Sequence, residues 1–203
     1  MVSIINYGMG NIRSIRGALD YLDVANQVIT LPQQVKYSAK LILPGVGSFA
    51  RAMENIKKMN LLDSLNEAVQ VSKKPILGIC LGMQLLADIG DEDGPSPGLG
   101  YIAGRVQRLP GGGSLKLPHI GFNVARFVAT NRVLYKGLGD MADFYFVHNY
   151  RFCCANHEHV SSFTDYGEIF ASSVAKGNVF GTQYHPEKSQ SNGLSVLKNF
   201  TLL

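Results

Sequence analysis

The ten residues 75–84 read PILGICLGMQ, and they predict a strand that turns abruptly into a helix. The first proline bounds an apolar run, as expected of a buried strand. Leu81, Leu85 and Ile89 then recur at every fourth position, as on one face of a helix. Cys80 is therefore expected on the turn, at the carboxyl end of the strand.

The cysteine stands between two small residues, in the pattern Gly78-Ile79-Cys80-Leu81-Gly82. A nucleophile on a tight strand-to-helix turn is pushed out of the sheet, and glycines on either side allow the crowding. Backbone N–H groups and the positive end of the helix would favour the thiolate over the thiol. The alternative is a buried cysteine that acts only as a small hydrophobic residue.

A second stretch, QYHPEK, places His185 and Glu187 two residues apart in an extended run. Pro186 biases the histidine away from helix, so both side chains can face the same way. A general base needs an acceptor that holds its other ring nitrogen, and Glu187 would supply it. Together with Cys80, these residues predict a Cys-His-Glu catalytic triad, against the alternative of a surface histidine beside a glutamate.

The first half of the chain alternates between short β-rich runs and amphipathic runs. Helices are expected at 11–22, 48–59 and 61–71, with strands between them. This order predicts βαβ units and a parallel sheet.

The second half has a different texture, which begins at Gly98. Short strands and glycine-rich turns favour antiparallel pairing there, and a last helix is expected at 193–203. The segment GDEDGPSPG (90–98) reads as a polar loop. We predict a single α/β domain over residues 1–203.

The composition excludes several classes of protein. The chain has 203 residues, of which 46% are hydrophobic and 17% charged, as in a compact α/β protein. No apolar run is long enough to span a membrane, and the net charge of +4 includes no basic block, so neither membrane nor nucleic acid is expected as a partner. The absence of a leader pattern and of disulfide spacing predicts a cytoplasmic protein.

Two further motifs invite other functions. In YGMGNIR an arginine occupies the third position of the dinucleotide-binding glycine pattern, so nucleotide binding is not expected. In CCANHEH, Cys153, Cys154, His157 and His159 are possible metal ligands, but adjacent cysteines lack the spacing of structural zinc sites. We expect a hairpin loop there and no metal.

GICLGMQ followed by HPE resembles the class I glutamine amidotransferases, whose Cys-His-Glu triad matches Cys80, His185 and Glu187. Six further blocks occur in the order seen in the glutaminase subunits of imidazole glycerol phosphate synthase: NYGMGNIRS, LPGVGSFARAM, GLGYIAGRV, PHIGFN, YFVHNY and GTQYHPEKSQ. The similarity spans nearly the whole chain. It implies a flavodoxin-like fold, with a mostly parallel central sheet flanked by helices and an antiparallel section in the C-terminal half.

The resemblance also implies a reaction that needs no cofactor. Cys80 would attack the side-chain amide of glutamine, and His185 would protonate the departing ammonia. Water would then release glutamate from the thioester.

The oxyanion of this reaction would be held by two backbone N–H groups, those of Leu81 and Val46. Val46 lies between Gly45 and Gly47 in the PGVG loop. Because glycines permit a peptide flip, this loop is a candidate activity switch; the alternative is an ordinary turn after a strand.

Substrate contacts follow from the same resemblance. Gln84 lies one helical turn after Cys80, where its amide would bind glutamine. Glu92 would receive the α-ammonium group of the substrate, unless the acidic loop is merely solvated. The backbone of Asn149 and Tyr150 would bind the α-carboxylate.

A glutaminase that lacks an acceptor site needs a partner to use its ammonia. The resemblance implies a heterodimer with a (β/α)₈-barrel cyclase subunit, which makes imidazole glycerol phosphate for histidine synthesis. Asn11 and Lys188 are candidate interface residues. Two departures from the family pattern, Phe122 in place of tryptophan and Asn149 in place of serine or threonine, affect the expected interface and substrate site.

Two other hypotheses remain open at this level. The glutaminase could serve a different synthase, such as one that makes anthranilate or pyridoxal phosphate. Alternatively, the chain could be a flavodoxin-like binding module in which Cys80 is inert.

Overall fold

The computed structural model describes residues 1–111 and 116–203, and its strands join into one mixed sheet. The strands are β1 (Val2–Ile5), β2 (Asn26–Ile29), β3 (Lys40–Gly45), β4 (Ile76–Cys80), β5 (Ile89–Gly90), β6 (Ser96–Pro97), β7 (Gly104–Arg108), β8 (His119–Phe127), β9 (Met141–His148), β10 (Tyr150–Cys154), β11 (Val160–Asp165), β12 (Ile169–Lys176) and β13 (Val179–Thr182). The helices are α1 (Ile12–Tyr21), α2 (Pro32–Tyr37), α3 (Phe49–Lys58), α4 (Leu61–Asn66), α5 (Leu81–Gln84) and α6 (Gln190–Thr201).

The parallel part of the sheet has the strand order β2-β1-β3-β4-β13. Its central strands β3 and β4 are buried almost throughout, because helices cover the sheet on both faces. The parallel sheet predicted from the βαβ order is therefore confirmed. All its strands end at one edge, where ligands bind in open α/β sheets.

The antiparallel part extends the sheet from β13 through β12, β10 and β7. A long hairpin of β8 and β9 joins it through β11. This confirms the antiparallel pairing expected after Gly98, apart from two parallel pairs, that of β13 with β4 and the short one of β7 with β5.

Two hydrophobic clusters lie on opposite faces of the sheet. Neighbouring residues of β1 point to opposite faces, so Ile5 belongs to one cluster and Ile4 to the other. Helices α3 and α4 cover the first cluster, with Phe49 buried in it. Helices α1 and α6 cover the second, which includes Ile15 and Phe200. Within the described ranges, no helix has both the length and the apolar character needed to cross a bilayer.

Several predicted boundaries were wrong. The helix after Cys80 ends at Gln84, and Ile89 begins β5 instead of continuing the helix. The stretch predicted as a helix at 61–71 is α4 followed by a π-helical turn, and the last helix starts three residues earlier than expected. The predicted loop 90–98 includes strand residues, because Gly90 ends β5 and Ser96–Pro97 form β6, and residues 91–95 connect these two strands. The glycine-rich turn expected after Pro110 lies mostly outside the described residues.

Candidate active site

Cys80 is the last residue of β4 and has an unusual backbone conformation, with φ 55° and ψ −110°. The glycines around it are required by close packing. A Cβ on Gly82 would lie 1.8 Å from the carbonyl oxygen of Leu43, and one on Gly78 would lie 2.5 Å from the carbonyl oxygen of Gly82. The structure thus places the cysteine on the tight turn that the Gly-x-Cys-x-Gly pattern predicts.

The strain at this turn gives a testable prediction about stability. The Cys80→Gly variant should be more stable than Cys80→Ala by about 1 kcal/mol. An L residue in a sparsely populated φ/ψ region costs about 1–3 kcal/mol of stability, which glycine does not lose. The greater freedom of glycine in the unfolded chain offsets about 0.4–1 kcal/mol of this advantage. Urea unfolding of both variants measures the difference. A glycine variant of equal or lower stability would show that the turn stores no strain.

His185 reaches the same site from the neighbouring strand. The register of β4 and β13 pairs Ile79 with Thr182, so the chain that leaves β13 passes beside the cysteine. The Nδ1 atom of His185 lies 2.8 Å from Oε1 of Glu187, and these side chains are only 3% and 1% exposed. The ring is therefore held in one orientation by a buried carboxylate.

The electrostatics of His185 follow from its two neighbours. Burial disfavours the charged ring, but the interaction with Cys80 and the hydrogen bond with Glu187 raise the pKa of His185 to about 10. Among the described residues, no hydrogen bond of ordinary geometry ends at Nε2. A charged imidazole beside sulfur is the arrangement in which cysteine nucleophiles are activated.

The PGVG loop lies directly beside the nucleophile. Gly45 pairs with Cys80 across β3 and β4, and Gly47 has φ +100°, which favours glycine. A Cβ on Gly45 would lie 2.7 Å from the Tyr7 hydroxyl oxygen. The same hydroxyl donates to the carbonyl oxygen of Pro44 at 2.8 Å. Tyr7, which the sequence did not single out, thus fixes the start of this loop.

A cavity of about 380 Å³ opens over the cysteine. Nine of the residues predicted from the sequence line it: Val46, Gly47, Cys80, Leu81, Gln84, Glu92, Asn149, Tyr150 and His185. Ser48, Val147 and His148 also line it and were not predicted. Another cavity, of about 540 Å³ beside Arg132 and Asn199, is larger but contains no nucleophile paired with a base.

Of the three carboxylates in the acidic loop GDEDG (90–94), only that of Glu92 is directed towards the cavity. Oε2 of Glu92 accepts a hydrogen bond from the backbone N–H of Phe49 at 2.7 Å, just after the PGVG loop. Partial burial raises the pKa of Glu92. Asp91 instead pairs with Arg105, and Asp93 is exposed. The structure thus distinguishes Glu92 from its acidic neighbours, which the sequence could not do.

The two candidate interface residues lie outside the cavity. Asn11 caps α1 by accepting a hydrogen bond from the Ser14 N–H at 3.4 Å. Lys188 is exposed, and its Nζ lies 5.8 Å from the centre of the Tyr145 ring. Helix α1 contacts the turn that carries Lys188, so both residues lie on one side of the molecule.

The CCANHEH segment has no metal-site geometry. Cys153 and Cys154 lie in β10, and His157 and His159 lie in a short 3₁₀ turn. In the part of the chain that the structure describes, no three His, Cys, Asp or Glu side chains come together to hold a metal ion. Burial raises the pKa of both cysteine thiols.

Known proteins that are similar to this chain identify its family. The model of the glutamine amidotransferase class-I family matches residues 3–203. Imidazole glycerol phosphate synthase subunit HisH 1 of Campylobacter jejuni is 43% identical over 203 residues, with full coverage of both chains. Subunit HisH of Moorella thermoacetica is 44% identical over 98% of this chain and 93% of its own. The chloroplastic hisHF synthase of Arabidopsis thaliana is 41% identical over 98% of this chain, which matches only 34% of that longer protein.

Solved structures share the fold at much lower sequence identity. The crystal structure of a glutamine amidotransferase superposes with a TM-score of 0.78 at 19% identity, covering 99% of this chain and 97% of the other. The structure of PurLQS from Thermotoga maritima gives a TM-score of 0.77 at 18% identity, with the same coverage.

Proposed function

Because the chain belongs to the class-I glutamine amidotransferases, and among them to the glutaminase subunits of imidazole glycerol phosphate synthase, we propose that Cys80, His185 and Glu187 hydrolyse glutamine. The observation that carries this proposal is the meeting of the cysteine and the Glu187-bound imidazole over one cavity. The enzyme is a glutamine amidotransferase of histidine biosynthesis. Full-length identity to HisH subunits favours this role over service to an anthranilate or pyridoxal phosphate synthase.

The first half of the reaction uses the thiol and the imidazole. The charged ring of His185 already carries on Nε2 the proton given up by the Cys80 thiol. The thiolate Sγ of Cys80 forms a bond to the amide carbon of glutamine, and the carbonyl oxygen takes up the electron pair. As the C–N bond breaks, Nε2 returns the proton to the leaving nitrogen, so that ammonia departs and a thioester remains. Water then gives a proton to Nε2 and displaces sulfur, which releases glutamate.

The developing oxyanion needs donors that are already in place. We assign this role to the backbone N–H groups of Val46 and Leu81, since both residues line the cavity together with Cys80. Gly45 and Gly47 would let the Val46 peptide turn, so that the loop can switch between states.

The substrate amino acid would be held at the far end of the cavity. The second oxygen of the Glu92 carboxylate is available for the α-ammonium group, since Oε2 is bonded to Phe49. Gln84 uses both amide hydrogens within the protein, so its carbonyl oxygen is the atom left for glutamine. The backbone at Asn149 and Tyr150 would meet the α-carboxylate.

The ammonia would pass to a cyclase subunit with a (β/α)₈ barrel, bound as a heterodimer. Two apolar side chains on β8, Ile120 and Phe122, are 58% and 51% exposed, and Val46 at the cavity rim is 44% exposed. Ile120 pairs with Val147, which lines the cavity, so exposed apolar side chains adjoin the reaction site, as is typical of a protein interface. Asn11 and Lys188 would add polar contacts at its edge, and Lys188 makes no ion pair among the described residues. The free cysteines suit a reducing compartment, and we propose the cytoplasm.

This function predicts that the cyclase controls glutamine hydrolysis. Glutamate formation should be slow for the subunit alone and rise at least about tenfold when the cyclase binds its own ligand, which corresponds to an activation free energy lower by about 1.4 kcal/mol. The measurement is glutamate release with the subunit alone, with the cyclase, and with the liganded cyclase. An unrelated (β/α)₈ barrel serves as control. Equal rates in all mixtures would contradict the proposed coupling.

A further inference from the structure

Two buried histidines, His148 at the cavity wall and His119 beside it, have no part in the reaction described above. His119 on β8 pairs with His148 on β9, and their side chains are 2% and 5% exposed. Nδ1 of His119 lies 3.0 Å from Nε2 of His148, and Nδ1 of His148 lies 2.8 Å from the carbonyl oxygen of Tyr150. The rings of Phe146 and Tyr166 stack on His119, with centroids 4.8 and 3.9 Å away.

A single carbonyl fixes the protons of both rings. The oxygen of Tyr150 can only accept, so His148 must carry its proton on Nδ1. In the neutral ring Nε2 is then an acceptor, so His119 must donate to it from Nδ1. Nε2 of His119 is left as an acceptor, 3.2 Å from the amide nitrogen of Asn123, which can donate to it.

The same carbonyl continues the chain of hydrogen bonds to the nucleophile. It also accepts from Nε2 of Gln84 at 3.0 Å, and that nitrogen donates to Oε1 of Gln183 at 3.1 Å. Because Oε1 of Gln183 is an acceptor, its Nε2 is the atom that faces Cys80, 3.7 Å from Sγ. Every donor and acceptor between β8 and the sulfur is thereby assigned, and the two donors His148 and Gln84 meet at the Tyr150 carbonyl.

Both histidines are held neutral by their surroundings. Burial lowers the pKa of His119 to about 4 and is the main cause that lowers the pKa of His148 to about 3. The neighbouring charge of His185 also opposes protonation of His148. A neutral ring with one proton donates on one side and accepts on the other, as this chain of hydrogen bonds requires.

We propose that His148 and His119 are positioning residues, which fix the Tyr150 carbonyl and, through Gln84 and Gln183, the sulfur of Cys80. The proposal rests on the function assigned above, since it concerns the same nucleophile. The two rings touch neither the sulfur nor His185 by a hydrogen bond. They act at the substrate end of the cavity, where they hold the backbone of Tyr150 in position for the substrate.

Kinetics of single and double variants test the connection. His148→Leu and Gln183→Leu should each lower kcat/KM for glutamine about ten- to a hundredfold, as expected when buried hydrogen bonds lose a partner. His148→Asn keeps a donor near the position of Nδ1 and should stay within about fivefold of wild type. His157→Asn, in the exposed 3₁₀ turn, is the matched control and should be unchanged.

The double variant His148→Leu, Gln183→Leu shows whether the two residues act through one chain of hydrogen bonds or lower the activity independently. If both residues act through one chain, the double loss equals the larger single loss within about threefold. Losses that multiply, or a His148→Asn variant as slow as His148→Leu, would overturn the proposal. An inactive wild-type enzyme would instead contradict the assigned function.

Side-chain ¹⁵N NMR of the wild type tests the proton pattern without any activity. At about pH 5 an unperturbed imidazole, with a pKa of about 6.5, is mostly charged. His119 and His148 should remain neutral with the proton on Nδ1, while His185 should be charged. A charged His148, or a proton on its Nε2, would overturn the proposal even if the enzyme is active.

Discussion

Replacing Cys80 by alanine is expected to lower glutamine hydrolysis by a factor of about 10⁴ or more, since removal of a nucleophile in comparable triads has this effect. The sulfur forms the bond to substrate, and alanine offers no atom that could replace it. The variant should fold normally, because alanine is smaller and tolerates the same backbone conformation as cysteine. The measurement is glutamate release in the presence of the liganded cyclase.

The partner reaction provides the decisive control. Cys80→Ala, mixed with the cyclase, should make product from added ammonium salts at the wild-type rate, because only the source of ammonia is lost. Cys153→Ala, at a half-buried thiol in β10, should leave glutamine hydrolysis unchanged. Glutamine-driven activity that survives in Cys80→Ala would show that another group is the nucleophile.

The second large effect concerns the fold around the nucleophile. Gly82→Ala is expected to destabilise the protein by about 3 kcal/mol or more, which is the upper range for overpacking of a core. Its Cβ would lie 1.8 Å from the carbonyl oxygen of Leu43, and both atoms belong to regular elements that cannot move aside separately. Thermal or urea unfolding measures the loss, and glutamine hydrolysis should fall with it.

Gly17 offers a matched control on an exposed helix. A Cβ at Gly17 in α1 meets nothing within 4 Å. Gly17→Ala should therefore stabilise the protein by about 0.8–1.0 kcal/mol, the difference in helix propensity. If Gly82→Ala unfolds at the same urea concentration as wild type, the close packing described for the cysteine turn is wrong.

The sequence predicted the parts of the site that depend on local geometry. A cysteine between glycines after an apolar run needs only the strand-to-turn transition, and His185 with Glu187 needs only their separation of two residues. The helix beyond Gln84 was predicted wrongly because apolar residues recur at every fourth position there, as they would on one face of a helix. Leu85 is buried, but its carbonyl oxygen accepts a hydrogen bond from the N–H of Leu99 instead of one from the next helical turn. The chain therefore leaves the helical path here.

Long-range contacts lay beyond sequence reasoning. His119 and His148 are separated by 29 residues and become neighbours only through the pairing of β8 and β9. Gln183 reaches the sulfur only because β13 lies beside β4. The blocks PHIGFN and YFVHNY each contain one of these histidines. A polar residue within an otherwise apolar strand was the only feature of the sequence that could have pointed to them.

Covalent labelling of the intact protein tests the central claim most directly. A glutamine analogue that carries a diazoketone in place of the amide should be drawn to the cavity and alkylate the activated sulfur. Mass spectrometry of the protein and its peptides should find one adduct, on Cys80, while Cys153 and Cys154 stay unmodified because burial raises the pKa of their thiols. An unlabelled Cys80, or adducts spread evenly over the three cysteines, would contradict the account.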